Sequence, residues 1–324
     1  MILAGDIGGT KTHLALFDED LQLVAERTYA SRDYAACDLI LEKWLSEPLP
    51  RARIACFGVA GPVKRGHVQT TNLPWVLDAR DLAGRLGLTR VRLINDLEAN
   101  AHGIAALGPH DFALLHPGAD GAEGNAALIS AGTGLGEAGL YWDGAMHRPF
   151  ACEGGHAGFS PRNDLEIELL RHLIARFGPV SWERVLSGPG LVNIYEFLRD
   201  TGRAEEPGWL ARRLRDQDAA AAISQAALDG SSPLCAMALD LFVSLYGAEA
   251  GNLALKVMAT GGVYIGGGVA PKIIEKIRGS DFLEAFCDKG PMRPLLSAMP
   301  VRVILNEKTA LLGAARCALE AARS

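Results

Sequence analysis

Glu153 and His156 stand three residues apart in the stretch Glu-Gly-Gly-His, and a further glycine, Gly158, follows closely. A carboxylate and an imidazole at this spacing can bind a metal ion, transfer protons, or hold a polar ligand by hydrogen bonds. A zinc site needs further His, Cys or Asp ligands at short spacing, and none stands near this pair. The metal interpretation is therefore disfavoured, and the other two remain open at this point.

Three glycine loops accompany strand-like segments, at 5–12 (GDIGGTKT), 130–136 (SAGTGLG) and 261–269 (GGVYIGGGV). Glycine lets several backbone N–H groups point into one concavity, and such a concavity binds phosphate oxygens. A single loop of this kind is common at strand ends. Three of them, spread over both halves of the chain, favour a ligand that carries phosphate.

The first loop also holds Asp6, just before Gly8 and Gly9. A carboxylate beside a phosphate site is well placed to hold Mg²⁺ through water, although it could also cap a turn. Two standard nucleotide motifs do not fit. Thr10 stands where the P-loop requires glycine before its lysine, and GLGEAG at 134–139 is followed by LYWDG where a dinucleotide fold requires a helix.

Composition limits the classes of protein to consider. The 324 residues are 49% hydrophobic and 22% charged, which predicts about two domains with sizeable cores. A net charge of −6 argues against a nucleic-acid or membrane partner. The six cysteines lack metal-ligand spacing, no signal-peptide core precedes Asp6, and charged residues interrupt the apolar stretch 241–271. We therefore expect a soluble, cytoplasmic protein with free thiols.

Strand and helix patterns alternate along the first half of the chain, which predicts an α/β sheet with parallel pairs. The segment 91–107 is a strand whose end delivers Asn95 and Asp96 to the start of a helix. A second sheet is expected from about 112, helices dominate 163–258, and an amphipathic helix begins near 309. This order predicts two α/β lobes with a helix-rich insertion in the second.

Several motifs together resemble those of the bacterial ATP-dependent glucokinases. They are Asp-x-Gly-Gly-Thr at 6–10, Asn95-Asp96, AGTGLG, EGGH, ERVLSGPGL at 183–191 and GGVYIGGGV, in this order. The resemblance runs from Asp6 to ALLGAA at 310–315. It implies an α/β, two-lobed actin-like ATPase (ribonuclease H-like) fold with a helix-rich insertion in the larger lobe. The small lobe would comprise 1–107 plus 299–324, and the large lobe 108–298.

The related ROK sugar kinases and repressors share some of these motifs but normally add a cysteine-rich zinc motif soon after the histidine. No such motif follows His156. The first loop departs from the commoner glucokinase pattern, because Lys11 stands where Asn is usual. The role of Lys11 is therefore open between a phosphate contact and a solvated strand-end lysine.

The resemblance also implies roles for single residues. Asp96 would be the catalytic base, Asn95, Asp96, Glu153, His156 and Glu183 would bind glucose, and Asp6 would hold Mg²⁺ through water. Because Asp96 would serve as the base, the sugar-binding interpretation of Glu153 and His156 is preferred over an acid/base pair. ATP would contact residues of the three loops: Asp6, Gly8, Gly9, Thr10, Lys11, Gly132, Thr133, Gly134, Gly262, Gly266, Gly267 and Gly268.

The expected function is phosphorylation of D-glucose at its 6-hydroxyl by Mg-ATP. Two alternatives stay open: a kinase for another hexose, such as mannose or an N-acetylated aminosugar, and a non-catalytic sugar-sensing module of the same fold. The acidic chain, with no DNA-binding extension before Asp6, disfavours a sugar-sensing repressor. The sequence decides neither ATP against polyphosphate as donor nor the oligomeric state, and a homodimer is one of the states it allows.

Overall fold

The computed structural model describes residues 1–70 and 73–323, which form two compact units. Unit 1 comprises the described residues of Met1–Asp111, Arg148–Ala151 and Asn306–Ser324, and unit 2 comprises Phe112–His147 and Cys152–Leu305. Thr71, Asn72 and Ser324, which the predicted small lobe includes, lie outside the described residues.

The strands are β1 (Ile2–Ile7), β2 (Lys11–Phe17), β3 (Leu23–Ala30), β4 (Ile54–Val59), β5 (His67–Gln69), β6 (Val76–Asp78), β7 (Arg90–Asn95), β8 (Phe112–His116), β9 (Ala126–Ala131), β10 (Leu135–Trp142), β11 (His147–Cys152), β12 (Gly262–Gly266) and β13 (Val301–Ile304).

The α-helices are α1 (Cys37–Leu45), α2 (Ala79–Leu86), α3 (Asp96–Ile104), α4 (Asp164–Phe177), α5 (Gly188–Asp200), α6 (Gly208–Asp216), α7 (Ala219–Leu228), α8 (Pro233–Val257), α9 (Ile274–Ile277), α10 (Ser280–Cys287), α11 (Arg293–Ser297) and α12 (Thr309–Arg323).

Unit 1 is built on a sheet with strand order β3-β2-β1-β4-β7. The predicted parallel pairs are β1 with β4 and β4 with β7, whereas β1, β2 and β3 pair antiparallel. Successive side chains of a strand point to opposite faces, and β1 serves two cores in this way. Leu3 belongs to a cluster with residues of α1 and α2, and Ile2 and Ala4 belong to a cluster with residues of α12.

Unit 2 is built on a sheet with strand order β11-β10-β9-β12-β13-β8. Strand β12 pairs parallel with both β9 and β13. Strand β10 pairs antiparallel with β9, and β8 pairs antiparallel with β13. Helices α4 to α8 follow β11 and form the predicted helix-rich insertion. Among the described residues, α8 alone is long and apolar enough to cross a membrane, but most of it is buried in the unit's core.

The predicted lobe boundaries differ from these units in three places. The first segment of the small lobe was expected to end at residue 107, whereas that of unit 1 ends at Asp111. The small lobe was expected to resume at residue 299, whereas unit 1 resumes at Asn306. The reason is that β13 pairs with β12 and β8 and so belongs to the sheet of unit 2. Unit 1 also includes Arg148–Ala151 from the edge strand β11, inside the predicted large lobe. That the two units act as lobes around a substrate stays a prediction.

Helices α3 and α12 of unit 1 pack with their backbones in close approach. A Cβ added at Gly313 of α12 would overlap the carbonyl oxygen of Ala99 on α3, and one at Gly103 would overlap the carbonyl oxygen of Thr309. Gly313→Ala is therefore expected to lower the free energy of unfolding by about 1–3 kcal/mol, the usual cost of overpacking a closely packed site. Urea unfolding followed by circular dichroism measures the change.

Gly84→Ala is the matched control, because Gly84 lies on the exposed side of α2 with no atom within 4 Å of an added Cβ. This variant should keep or raise the free energy of unfolding, by up to about 1 kcal/mol, since alanine restricts the unfolded chain more than glycine does. Equal stability of Gly313→Ala and the wild type would contradict the close approach of α3 and α12.

Candidate active site

Asp6 and Asp96 lie around Gly58 in unit 1. Asp6 of β1 is paired with Gly58 of β4, and Gly58 is paired with Ile94 of β7, two residues before Asp96. A Cβ at Gly58 would lie 2.8 Å from the Cβ of Ala99 and 3.5 Å from the Cα of Asp96. The missing side chain at Gly58 therefore lets the start of α3 rest on the sheet, at the strand ends where Asp6 is found. Sequence reasoning did not single out Gly58.

Burial raises the pKa of the Asp6 carboxyl to about 6. A carboxylate in such a poorly solvated place gains from a cation held close to it, because the cation favours the charged form. No group of three or more His, Cys, Asp or Glu side chains that could enclose a metal exists among residues 1–70 and 73–323. A single carboxylate fits Mg²⁺, which keeps most of its water ligands, and does not fit a metal that needs a full set of protein ligands.

Asn95, predicted to bind sugar, is the N-cap of α3. Its Oδ1 accepts hydrogen bonds from the backbone N–H groups of Leu97 (2.9 Å) and Glu98 (3.3 Å), and its Nδ2 donates to the carbonyl oxygen of Gly61 (3.3 Å). The side chain is buried. Capping is an ordinary role for Asn or Asp at the start of a helix, and in α3 this role belongs to Asn95. Asp96 Oδ1 accepts from the Leu97 N–H (2.9 Å) in addition.

The first glycine loop is a tight turn between β1 and β2. The Gly8 N–H donates to the Lys11 carbonyl (3.0 Å), while Ser31 donates from its Oγ to the Gly8 carbonyl (2.8 Å) and from its N–H to the Thr10 carbonyl (3.0 Å). Gly8 and Gly9 are half-buried, and Thr10 and Lys11 are exposed. Ser31 thus holds the loop through two hydrogen bonds to its carbonyl groups. No pattern in the sequence predicts this role.

The second glycine loop lies at the start of α5 in unit 2. The Gly132 N–H donates to the Gly134 carbonyl (2.8 Å), and the Gly132 carbonyl accepts from the Gly188 N–H (2.8 Å). Gly188 is the first residue of α5, whose N-terminus carries partial positive charge. Thr133 is exposed at the tip of the loop. The loop therefore combines open space at Gly132 with a helix end that favours an anion.

Tyr246 of α8 links the end of β9, which leads into the second glycine loop, to the end of β12, where the 266–268 turn begins. Its buried hydroxyl accepts from the Ala131 N–H (3.1 Å) at the end of β9 and donates to the Gly266 carbonyl (3.3 Å) at the end of β12. Gly267 has a φ of +81° and lies against the carbonyl oxygen of Ala131. Sequence reasoning missed Tyr246, which looks like any apolar core residue of a long helix.

Gly262, predicted to contact ATP, lies apart from the other glycines of the third loop. It begins β12, whereas Gly266, Gly267 and Gly268 lie at the other end of this strand. Its neighbours are Pro300 and Arg302. Five strand residues span roughly 13 Å from first to last, and the φ of +126° at Gly262 favours glycine there. Contact of Gly262 with ATP stays a prediction.

The segment that holds Glu153 and His156 lies flat on β10. A Cβ at Gly154 would overlap Oε2 of Glu137, and one at Gly155 would overlap the carbonyl oxygen of Leu135. Neither glycine has a positive φ. Glycine is required at both positions because the backbone approaches β10 so closely. The Glu153 and His156 side chains are left exposed.

Glu183 lies beside both the second glycine loop and this segment. Its Oε2 accepts from the Leu135 N–H (2.9 Å), and a Cβ at Gly134 would overlap the same oxygen. The 3-10 turns Gly154–His156 and Trp182–Arg184 pack together, with the Trp182 N–H donating to the Ala157 carbonyl (2.9 Å). Unit 2 therefore brings Glu153, His156 and Glu183 together with the second glycine loop.

Comparison with known proteins identifies the family. The family model described as Glucokinase matches residues 3–321. The glucokinase of Nostoc sp. (strain PCC 7120) is 44% identical over 98% of this chain and 98% of its own length. That of Caulobacter sp. (strain K31) is 37% identical over 97% of this chain and 93% of its own. The chain belongs to the glucokinase family.

Solved structures agree with this assignment. A glucokinase from an Antarctic psychrotroph has a TM-score of 0.81 at 31% identity and covers 98% of both chains. A ROK family glucokinase from Streptomyces griseus, in complex with glucose and AMPPNP, has a TM-score of 0.66 at 23% identity and covers 98% of this chain and 99% of its own. The predicted actin-like ATPase fold is confirmed. A glucokinase-family chain is an enzyme, a kinase, so the alternative of a non-catalytic sugar-sensing module is wrong.

The cap of α3 can be tested by comparing two neighbouring variants. Asn95→Ala removes the two hydrogen bonds that the side-chain oxygen accepts from the first turn of α3. It should lower the free energy of unfolding by about 1 kcal/mol. Asp96→Asn leaves the Asn95 cap in place and should change stability far less. Chemical denaturation of the two variants beside the wild type is the measurement. A larger loss for Asp96→Asn than for Asn95→Ala would return the capping role to Asp96.

Proposed function

We propose that this enzyme uses Mg-ATP to phosphorylate D-glucose at the 6-hydroxyl, with glucose 6-phosphate and ADP as products. One observation carries the proposal: Glu153, His156 and Glu183 lie together beside a glycine loop at a helix N-terminus. That group combines partners for sugar hydroxyls with a site for phosphate. Membership of the glucokinase family over nearly the whole chain supports the same reaction.

Sugar binding is assigned to the three side chains of unit 2. The carboxylates of Glu153 and Glu183 accept hydrogen bonds from hydroxyl groups, and an imidazole such as that of His156 can donate one and accept another. Hydrogen bonds with a charged partner are stronger than neutral ones. The bond from the Leu135 N–H holds one oxygen of Glu183 in place, so its orientation is fixed before a sugar binds. Asn95 is assigned to sugar binding through its Nδ2 alone, because its oxygen caps α3.

Asp96 is assigned the role of general base. Phosphoryl transfer to an alcohol needs a carboxylate that accepts the hydroxyl proton as the oxygen attacks phosphorus. Asp96 is the first residue of α3, directly after β7, so a rigid strand and helix hold it. The partial positive charge of the helix N-terminus stabilises the ionised carboxylate that accepts the proton.

ATP is assigned to the three glycine loops, including Gly262 at the start of β12. The phosphates would meet Gly8, Gly9, Thr10 and Lys11 in unit 1 and Gly132, Thr133 and Gly134 in unit 2, and Gly266, Gly267 and Gly268 would meet the adenosine. Asp6 would hold Mg²⁺ through water, and the bound ion would neutralise charge on the phosphate oxygens. A Cβ added at Gly132 or Gly268 would meet no atom within 4 Å, so a ligand has room to approach the backbone at these glycines. The exposed Lys11 is available to a phosphate.

The second candidate is a kinase for another hexose, since the same side chains suit any sugar with similar hydroxyls. A panel of glucose, mannose, galactose and N-acetylated aminosugars, assayed by coupled ADP release with ATP and Mg²⁺, distinguishes the two. We expect the highest kcat/KM with glucose and no phosphorylation of glucose when polyphosphate replaces ATP. Absence of sugar-dependent ADP release across the panel would overturn the proposed function. A cytoplasmic location and a homodimer stay expectations.

Asp96→Asn tests the catalytic base. An amide can still accept the hydrogen bond of the sugar hydroxyl but cannot take its proton. We expect kcat to fall by about 10²–10⁴-fold, the usual contribution of a positioned general base, with a small change in glucose affinity. Steady-state kinetics beside a thermal melt separates catalysis from stability. Near-normal kcat would exclude Asp96 as the base.

Glu153→Gln and His156→Ala test the sugar-binding side chains. Each leaves hydroxyl groups of glucose without their partners, so binding should weaken by about 1–3 kcal/mol, that is, roughly five- to 150-fold. ATP affinity measured without sugar should hardly change. Glu205→Gln is the matched control, because this exposed glutamate of unit 2 lies outside the site. Calorimetric titration with glucose is the measurement, and control-like affinity in both variants would refute the assignment.

A further inference from the structure

A buried carboxyl group, that of Glu137 on β10, lies beneath the segment that holds Glu153 and His156. Glu137 is 1% exposed, and Glu249 of α8, another buried carboxyl, is 0% exposed. The charge of Glu249 acts on Glu137 and raises its pKa. Two ionised carboxylates can only accept hydrogen bonds and repel each other, so a proton on one of them is favoured. Neither residue has a role in the proposed reaction.

The surrounding groups determine which carboxyl carries the proton. Glu249 accepts from Asn252 Nδ2 (2.7 Å) and from Lys256 Nζ (3.3 Å), which favour its ionised form. Lys289 is occupied elsewhere, because it donates to Asn252 Oδ1 (2.6 Å) and to the Ala248 carbonyl (2.9 Å). Glu137 Oε1, in contrast, has no hydrogen-bond partner within the described part of the chain when its carboxyl is ionised. A protonated Glu137 carboxyl can donate a hydrogen bond, which the ionised carboxylate cannot.

Other titratable groups face the pair without replacing that proton. Burial raises the pKa of the Tyr246 hydroxyl and of the Cys152 thiol, so both stay neutral near pH 8. Burial and the neighbouring charge of Glu249 together raise the pKa of Glu137 to about 8. Glu137 is therefore protonated at neutral pH and ionises in the mildly alkaline range.

Glu137 touches the sugar-binding segment directly. Its Oε2 lies where a Cβ of Gly154 would be, and Gly154 separates Glu153 from Gly155 and His156. The segment rests on the Glu137 carboxyl as well as on the carbonyl oxygen of Leu135.

We infer that Glu137 is a positioning residue for sugar binding: its protonated carboxyl, hydrogen-bonded to Glu249, supports the Glu153–His156 segment, and ionisation of Glu137 displaces that segment and weakens sugar affinity. The inference rests on the proposed function, because it takes Glu153 and His156 to be the sugar-binding side chains. It adds a pH dependence that comes from a residue which does not touch the sugar.

Glu137→Gln gives the decisive comparison. A glutamine amide has the shape of the protonated acid, donates to Glu249 in the same way and does not ionise. Glucose affinity of the wild type, measured by calorimetric titration, should fall by about five- to tenfold between pH 7.5 and pH 9, as expected when the protonated form alone binds well. The Glu137→Gln variant should match the wild type at pH 7 and keep its affinity within about twofold over this range. Glu205→Gln should follow the wild type.

A second measurement uses the wild-type enzyme and therefore does not depend on whether a Glu137 variant folds. The infrared carbonyl band of a protonated carboxylic acid in the wild-type enzyme should disappear over the same pH range in which glucose affinity falls. Loss of affinity without loss of such a band would overturn the inference, as would parallel alkaline loss in the wild type and Glu137→Gln. A wild type that neither binds nor phosphorylates glucose at any pH overturns the proposed function itself, and this inference with it. A wild type that phosphorylates glucose with pH-independent affinity overturns the inference alone.

Discussion

Close approach of one backbone to another is the constraint on which the site depends. Gly154 and Gly155 bring the sugar-binding segment onto β10, Gly134 makes room for the Glu183 carboxylate, and Gly267 lies against the end of β9. In unit 1, Gly58 lets the start of α3 rest on the sheet. At each of these positions any larger residue would push apart two elements that carry chemical groups. The glycines therefore position the reactive side chains more than they provide flexibility.

Burial of acidic groups is the second physical theme. Asp6 is partly buried, Glu137 and Glu249 are fully buried, and burial raises the pKa of each. The consequences differ because their neighbours differ. The site of Asp6 suits a hydrated cation, Glu249 is paired with Lys256, and Glu137 keeps its proton at neutral pH. A folded-state pKa raised from 4.5 to about 8 means that Glu137 contributes stability below pH 4.5, and this contribution is lost as the pH rises through 8.

Local patterns in the sequence predicted much of this structure. An aspartate before the helical segment 79–86 and a glycine after it are typical helix caps. In the structure the Asp78 side chain accepts from the N–H groups of Arg80 and Asp81, and Gly87 has a left-handed φ of +63°. The strand ending at Asn95, the second sheet from about 112 and the C-terminal helix from 309 were also predicted correctly. These features depend on neighbouring residues and on hydrophobic periodicity, which the sequence displays directly.

What the sequence did not reveal depends on contacts between distant segments. Ser31 under the first loop, Tyr246 between two strand ends and Glu137 beneath Gly154 lie far in the chain from the groups they support. Gly262 shares a glycine-rich stretch with Gly266 but lies at the other end of β12, which the spacing in the sequence does not reveal. The half-buried ring of His172 on α4 lies 5.6 Å from that of Phe197 on α5, another contact between two separate helices.

A crystal structure of the enzyme soaked with glucose tests most directly whether Glu153, His156 and Glu183 bind the sugar. We expect the sugar on the exposed side of the Gly154–His156 turn, with its hydroxyl groups hydrogen-bonded to these three side chains. The hydrogen bond from the Leu135 N–H to Glu183 should be retained. Glucose bound elsewhere, or bound at this turn without contact to these three side chains, would contradict this assignment.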